Sequence, residues 1–206
     1  MRPVRNVLAL LLALFSTAYA GVDSGHTFES VVAGLAESGV VRGNFTQIRK
    51  IELLSRPLES SGNFILSDLG MYWQQTQPFT SVLIADGERL VQSLEDGPAT
   101  SMDAADNPLV LPFSRIFLSI FKGSEEELRT HFEIGFASEG DDWEMSLKPM
   151  TYPLSEAIET IILQGREYID GIAIINRSSD EMTIRFSNVQ TLPNQLTEHE
   201  IELYAR

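Results

Sequence analysis

Large apolar residues alternate with polar ones along two stretches in the first half of the chain. The first stretch is Phe45-Thr46-Gln47, and the second runs from Gly62-Asn63-Phe64 through Trp73 to Asp86-Gly87. Such alternation is typical of a strand with one buried face and one solvated face. Asp86-Gly87 lies between two short apolar runs, which is a strong signal for a hairpin turn. The pattern therefore predicts a curved antiparallel sheet whose broad apolar face is covered by a core, a lid or an apolar ligand.

Other periodicities predict short helices and many more strands. A 3.6-residue spacing of apolar residues predicts a helix over residues 27–38, with Gly39 as its stop. Ser124 and Glu127 form a capping-box pattern, which predicts the start of another short helix. Period-two patterns predict antiparallel strands over residues 40–54, 57–66, 71–76, 81–94, 132–137, 143–148, 158–164, 167–176, 182–187 and 196–204.

A stripe of large apolar residues interrupts this series of strands. It has helical spacing, ends at Gly123 and consists of Leu111, Phe113, Ile116, Phe117, Ile120 and Phe121. Two interpretations stay open: a core helix packed on the sheet, or a lid whose side chains suit alkyl chains. Helices that bracket a many-stranded meander predict a mainly β fold with some α structure. We expect an incomplete (open) antiparallel β-barrel with helices covering its mouth.

The N-terminal residues predict an export signal. Arg2 and Arg5 precede an almost wholly apolar run over residues 7–15, and Ala18-Tyr19-Ala20 is a small-x-small cleavage pattern. The apolar run is too short for a stop-transfer helix, which disfavours a retained membrane anchor. We therefore expect residues 1–20 to be a cleavable signal peptide and residues 21–206 to form one domain. Without a Cys at the cleavage point, the exported protein would not be lipidated there.

The charge balance of the chain is strongly acidic. The formal net charge is -14, and loss of the signal segment removes two of 15 basic residues and none of the 29 acidic ones, which gives -16. A surface of this charge repels nucleic-acid phosphates and anionic headgroups. The composition therefore argues against binding to DNA, RNA or a membrane through net charge, and it favours solubility.

The residues that commonly carry catalysis or hold metals do not converge in the sequence. The chain has no Cys, which excludes disulfides, thiol catalysis and thiolate metal sites. Its histidines, His26, His131 and His199, have no partner at ligand spacing. Neither a Gly-x-Ser-x-Gly elbow nor a phosphate loop occurs. We expect no enzyme activity, no cofactor and no metal.

The order of the strand motifs resembles the periplasmic lipoprotein carrier family (LolA-like proteins). The matching elements are the Phe45-Thr46-Gln47 strand, Ser61-Gly62-Asn63-Phe64, a strand ending in Trp73, Gln77-Pro78, and a short apolar strand into Asp86-Gly87. The likeness extends over about residues 28–204. Typical carriers have a basic Lys-Arg-Pro step before the Phe-x-Trp strand, and its arginine is tied to opening and closing of the ligand cavity. Leu66-Ser67-Asp68 stands there in this chain, which indicates a divergent member.

The resemblance implies a LolA-like open barrel that carries cargo rather than catalysing a reaction. The expected cargo is a lipoprotein acyl chain or another lipid-like group, accepted from an inner-membrane donor complex and passed to an outer-membrane acceptor. We expect the carrier to be a monomer. Strand alternation selects seven residues as cavity lining: Phe45, Phe64, Leu66, Met71, Trp73, Val82 and Ile84. The helical stripe supplies four lid residues: Phe113, Phe117, Ile120 and Phe121.

Two other classes of function remain as alternatives. The domain could be a periplasmic module that senses a lipid or lipoprotein, or assists assembly, without transferring cargo. It could also be an enzyme such as a lipid hydrolase, although no nucleophile or metal constellation supports that class.

Overall fold

A single unclosed sheet dominates the molecule. The computed structural model describes residues 25–86, 89–94, 100–102, 118–121 and 123–205, with the backbone alone for residues 100–102. Across these residues eleven antiparallel strands form one sheet, accompanied by a few short helices. This architecture confirms the predicted mainly β fold with an incomplete barrel. The predicted signal peptide lies outside the described residues.

The elements follow the predicted order closely. The helices are α1 (Phe28–Glu37), α2 (Glu125–His131), α3 (Leu154–Ala157) and α4 (Glu198–Tyr204). The first six strands are β1 (Val41–Lys50), β2 (Leu58–Ser67), β3 (Gly70–Gln77), β4 (Ser81–Ala85), β5 (Leu90–Leu94) and β6 (Thr100–Met102). The other five are β7 (Phe132–Glu139), β8 (Asp142–Pro149), β9 (Ile158–Gly165), β10 (Ile169–Asn176) and β11 (Glu181–Gln190). Residues 118–121 are also helical.

The strand order places the first and the last strand side by side at the centre of the sheet. The order is β6-β5-β4-β3-β2-β1-β11-β10-β9-β8-β7. Each half is a meander, and the halves join where β1 pairs with β11, with Arg42 opposite Gln190 and Lys50 opposite Glu181. The β1–β2, β3–β4 and β10–β11 turns consequently lie at one end of the sheet, which we call the hairpin end. The β2–β3 turn and the last residues of β11 lie at the opposite end.

Helix α1 forms where the sequence predicts it and packs on one face of the sheet. Thr27 caps the helix through a reciprocal box with Ser30, whose backbone N–H donates to Thr27 Oγ1 at 3.1 Å. The apolar stripe of α1 is buried in the main core, so we call the sheet face beneath it the inner face; the stripe consists of Phe28, Val31, Val32 and Leu35. Each such side chain contributes about 1.5–3 kcal/mol when fully buried. Gly39 follows the helix with a φ of 58°, a left-handed conformation that glycine adopts easily.

The other face of the sheet is covered by the C-terminal helix. Tyr72, Val82 and Ile84 are buried there in a second, smaller cluster, and Leu203 and Tyr204 of α4 pack against it. We call this side the outer face. Both faces of the β2–β5 region are therefore shielded from water, which a sheet with a single apolar face would not require.

One predicted element and one predicted helix cap are wrong. Residues 196–204 do not form a strand, because Thr197 and Glu200 make a capping box that starts helix α4, and His199 lies on that helix. The predicted capping box at Ser124 is absent as well: α2 begins there, but the Ser124 side chain caps nothing. Glu127 instead accepts a hydrogen bond from the Ser119 hydroxyl.

Candidate functional site

A cluster of aromatic rings fills the centre of the inner face. Phe45 stacks on Trp73 with 3.7 Å between ring centroids, and Phe64 meets Phe186 edge-on at 4.9 Å. Phe121, from helical residues 118–121, packs edge-on against Phe186 at 5.9 Å. We call these five residues the aromatic cluster. Such ring pairs contribute about 0.5–1.5 kcal/mol each beyond their burial.

Strand register explains why these rings meet. Phe45 of β1 lies opposite Phe186 of β11, and Phe64 of β2 lies opposite Trp73 of β3. Residues directly opposite each other on paired strands share a face of the sheet, and side chains alternate between faces along each strand. Both pairs therefore point to the same side of the sheet. The sequence motifs around Phe45, Phe64 and Trp73 therefore mark one continuous surface at the middle of the sheet.

The structure places five of the seven predicted lining residues on the inner face. Those five are Phe45, Phe64, Leu66, Met71 and Trp73.

Val82 and Ile84 are placed differently from the prediction. They lie on the outer face, because Trp73 pairs with Leu83 whereas Tyr72 pairs with Ile84. The register corrects the prediction that these two residues share a face with Trp73, and Leu83 is the β4 residue that packs on the main core. Strand β4 is apolar on both faces, so alternation alone could not distinguish them.

The predicted lid is described only in part. Ile120 is buried and Phe121 is half-buried, both in helical residues 118–121. Phe113 and Phe117 lie outside the described residues. Gly123 lies directly on α1, since a Cβ atom added there would collide with the Val32 carbonyl. Residues 118–121 and Gly123, which we call the lid segment after the prediction, thus contact α1 through Gly123 and the aromatic cluster through Phe121.

A small crevice opens between α1, the lid segment and the adjoining ends of β1 and β2. Its volume is about 130 Å³, and its lining residues are Leu35, Ala36, Ser38, Gly39, Val41, Leu66, Ser67, Asp68, Leu118 and Phe121. A smaller void of about 10 Å³ shares Leu35, Ser38, Val41 and Phe121 with it and extends to Phe64 and Phe186. The crevice therefore leads toward the aromatic cluster. Ligand pockets for small molecules usually have ~300–1,000 Å³, so a bulky ligand would need α1 or the lid segment to move.

An arginine ties the C-terminal segment to the strand that borders the crevice. Arg42 Nε lies 2.5 Å from Glu200 Oε1, and its Nη2 donates to Glu200 Oε2 at 3.0 Å. The same guanidinium donates to the carbonyls of Pro193 and Gln195, each at 2.8 Å. We call residues 193–204 the C-terminal clasp. The hydrogen bond from Arg42 lowers the pKa of Glu200 to about 2, and the same bond raises the pKa of Arg42.

The clasp also reaches the crevice from the outer face through a tyrosine. The Tyr204 hydroxyl lies 3.0 Å from the Ile65 carbonyl and 3.2 Å from the Gly70 carbonyl. Ser67 Oγ, which lines the crevice, lies 3.3 Å from the same hydroxyl. Burial raises the pKa of Tyr204 to about 12.

Sequence reasoning missed Arg42, Glu200 and Phe186 as parts of this region. Phe186 carries the period-two signal of its strand, but nothing local reveals that β11 pairs with β1. Arg42 and Glu200 are far apart in sequence, and Glu200 fell in a segment predicted as a strand. Only the tertiary structure brings these residues together.

The buried side chains of the inner face are almost all apolar. The buried polar side chains among the described residues are Ser67 and Ser119, and none of their buried polar atoms lacks a partner. In the described part of the chain, no group of His, Asp or Glu residues is arranged to hold a metal ion. A search of the same residues finds no helix that is both long enough and apolar enough to span a bilayer.

Comparison with known proteins decides the family. The profile of the family described as outer membrane lipoprotein carrier protein LolA matches residues 37–197, which include β1 to β11. The chain belongs to the LolA family. Proteins of this family are carriers rather than enzymes. The chain matches no curated protein.

Solved structures of low sequence identity resemble the LolA-family fold of this chain. A domain from Vibrio parahaemolyticus, assigned to outer-membrane lipoprotein sorting, is 7% identical with a TM-score of 0.48; the match covers 87% of this chain and 97% of that one. A LolA superfamily protein from Nitrosomonas europaea is 8% identical with a TM-score of 0.47, and the match covers 84% and 96% of the two chains.

Proposed function

We propose that this protein is a periplasmic carrier that binds the acyl chain of a lipoprotein, or another lipid-like group, and delivers it toward the outer membrane. The observation that carries the proposal is the crevice at α1, because it leads from the surface to the aromatic cluster of a LolA-family sheet. The predicted signal peptide over residues 1–20 supports the periplasmic location.

Binding in this proposal is burial of alkyl groups against the inner face. Each buried methylene contributes ~0.8 kcal/mol, so one acyl chain supplies ample binding free energy. Part of that free energy is offset by separating the lid segment from the sheet, since the crevice of about 130 Å³ is too small for such a chain. The proposed lining residues are Phe45, Phe64, Leu66, Met71 and Trp73. Ile120 and Phe121 belong to the proposed lid, together with the predicted Phe113 and Phe117.

Transfer requires that partners shift the balance between the closed and the open state. An inner-membrane donor complex would load the open state, and an outer-membrane acceptor would compete for the exposed inner face. A partner shifts this balance only by its differential affinity for the two states. The carrier itself needs no catalytic group for this exchange.

Native mass spectrometry of the protein purified from a periplasm without detergent tests the proposal. We expect a discrete additional mass, which extraction identifies as a lipid or an acylated peptide. The purified complex, incubated with outer-membrane vesicles, is then expected to lose that mass to the vesicles. A protein that neither co-purifies with nor takes up any acylated or lipid-like molecule would contradict the proposal.

A second candidate function is a module that senses a lipid or lipoprotein, or assists assembly, without transfer. The closed inner face favours it, because the protein's own aromatic rings already occupy the centre of the sheet. The vesicle experiment separates the two functions: a sensor keeps its bound mass, whereas a carrier releases it.

A further inference from the structure

The two ends of helix α1 are held in different ways. At the N-terminal end, Arg129 of α2 forms an ion pair with Glu29 at 3.1 Å, and its guanidinium lies 4.6 Å from the centre of the Phe28 ring. At the C-terminal end, Leu35 and Ala36 line the crevice. The crevice therefore widens if the C-terminal end of α1 rises from the sheet while its N-terminal end stays anchored.

The C-terminal clasp contacts the joint between α1 and β1, which consists of residues 38–40. The N–H of the buried Val40 donates to Asn194 Oδ1 at 3.3 Å. A Cβ atom added at Gly39 would collide with the same oxygen, so the Asn194 side chain lies directly against the Gly39 backbone. Ser38 and Gly39 also line the crevice. Asn194 therefore holds the segment that must move when the C-terminal end of α1 rises.

Arg42 keeps Asn194 in this position. Its guanidinium donates to the carbonyls of Pro193 and Gln195. These two residues are the chain neighbours of Asn194. The ion pair of Arg42 with Glu200 is largely shielded from water, since the two side chains are 15% and 13% exposed, so salt weakens it less than an exposed pair. One network of hydrogen bonds thus connects β1, the C-terminal clasp and the joint.

We propose that the C-terminal clasp is a latch that holds the crevice closed through Asn194. While Asn194 contacts the joint, the C-terminal end of α1 stays on the sheet. Entry of an acyl chain lifts this end and breaks the contact. The latch therefore lowers the apparent affinity for cargo, because it makes the open state rarer.

This inference rests on the proposed carrier function, since it names a regulator of the same site. It also assigns a role to helix α4, which follows the residues that match the family profile, 37–197. The buried contacts of Tyr204 keep α4 on the outer face, so the clasp has a fixed base from which Asn194 reaches the joint.

Asn194→Ala tests the latch in the protein without cargo. Asn194 is exposed, so its truncation should leave the fold intact. We expect the amides of α1 to exchange with deuterium about two- to tenfold faster than in the parent protein, as for the loss of one hydrogen bond, and the amides of β10 to exchange at the parent rate. Mass spectrometry of the exchanged protein measures both.

Gln195→Ala is the matched control for that substitution. Gln195 is exposed beside Asn194 and meets Arg42 through its backbone carbonyl, which the substitution keeps. We expect its α1 amides to exchange at the parent rate.

Binding of a palmitoylated peptide tests the same latch with cargo. Because the open state becomes more populated, Asn194→Ala should bind the peptide about two- to tenfold more tightly than the parent protein. Gln195→Ala should bind it as the parent does. Isothermal titration calorimetry measures the dissociation constants. Damage to the site would weaken binding, so a gain in affinity separates a latch from a contact that only supports the fold.

Two results would overturn the latch. One is the same exchange rate of the α1 amides in Asn194→Ala and Gln195→Ala. The other is binding of the peptide by Asn194→Ala that is no tighter than binding by the parent protein. If neither protein binds the peptide, the carrier function is contradicted, and the exchange rates alone decide whether Asn194 holds the joint.

Discussion

Phe121 joins the two parts of the candidate site. Its ring packs edge-on against Phe186 in the aromatic cluster, and its side chain also lines the crevice. The segment that carries it is held in place on both sides. The Ser119 hydroxyl donates to Glu127 of α2, and Gly123 lies against the backbone of α1. Any opening of the crevice toward the cluster changes the surroundings of this one ring.

The first prediction concerns Phe121→Glu. Phe121 is half-buried. A carboxylate placed there against an acyl chain loses hydration without gaining a partner, which costs several kcal/mol. We expect the amount of co-purified cargo to fall at least tenfold, while the circular dichroism spectrum of the sheet is unchanged. Native mass spectrometry measures the cargo.

Phe136→Glu is the matched control for that substitution. Phe136 is also half-buried and packs edge-on against Phe28 at 6.3 Å, but it does not line the crevice. We expect it to lower stability without changing the cargo per folded molecule. Equal cargo in Phe121→Glu and the parent protein would show that this ring is no part of the lid.

At the scale of elements, helix α4 acts as a brace on the outer face. Its Leu203 and Tyr204 cover Tyr72, Val82 and Ile84, and Arg42 holds its first turn through Glu200. Because the Tyr204 hydroxyl contacts the backbone on both sides of the β2–β3 turn, the brace also fixes one border of the crevice. The helix has only seven residues, so it depends on these contacts more than on its own helix propensity.

The second prediction concerns the pH dependence that Glu200 gives to this brace. Its pKa is lowered from 4.5 to about 2 by the bond from Arg42, so its contribution to stability is complete above about pH 4.5 and is lost as the pH falls toward 2. Glu200→Gln should lower the free energy of unfolding at pH 7 by about 1–3 kcal/mol. The difference between parent and variant should shrink as the pH falls from 4.5 to 2. Urea unfolding at several pH values measures this.

Glu202→Gln controls for the loss of any carboxylate from α4. Glu202 is exposed on the same helix and has no ion pair among the described residues. We expect its unfolding free energy to stay within about 0.5 kcal/mol of the parent at every pH. A gap between Glu200→Gln and the parent that is constant from pH 7 to 2 would contradict the proposed linkage.

Elements with one dominant periodicity could be predicted, whereas an ambiguous pattern hid the type of α4 and the inward face of β4. The stripe of α1 and the strands around Phe45 and Trp73 follow a single period, so local sequence was sufficient. The segment Glu198-His199-Glu200-Ile201-Glu202-Leu203-Tyr204 alternates polar and apolar residues like a strand, but its capping box and its contact with the outer face make it helical. In β4 the run Val82-Leu83-Ile84 is apolar throughout, so the inward residue, Leu83, emerged only from the register with β3.

At the scale of the whole molecule, the structure represents a closed state. The inner face is filled by its own rings, and the crevice is smaller than a usual ligand pocket. The location of the candidate site could be predicted from sequence, because the motifs at Phe45, Phe64 and Trp73 mark the centre of the sheet. How far the site is filled could not be predicted, because Phe186 is brought to it by the pairing of β11 with β1, which are distant in sequence.

The third prediction follows from this closed state. A ligand that binds only the folded protein stabilises it by about 2.7 kcal/mol at a hundred times its dissociation constant. For a chain of this length that corresponds to a rise in melting temperature of roughly 5–10 °C. We expect a long-chain acylated peptide to produce this shift, and the same peptide without its acyl chain to produce none. Equal shifts with both peptides would indicate binding outside the inner face.

The position of β1 between β2 and β11 also determines when the protein can finish folding. Synthesis produces β1 first and β11 last, yet Phe45 must pair with Phe186 to complete the middle of the sheet. Until β11 emerges, one edge of β1 has no partner from this pairing, and open strand edges readily associate with other chains. Pairings between residues so distant in sequence also form slowly. The nascent chain therefore leaves one edge of its central strand open until β11 has been synthesised.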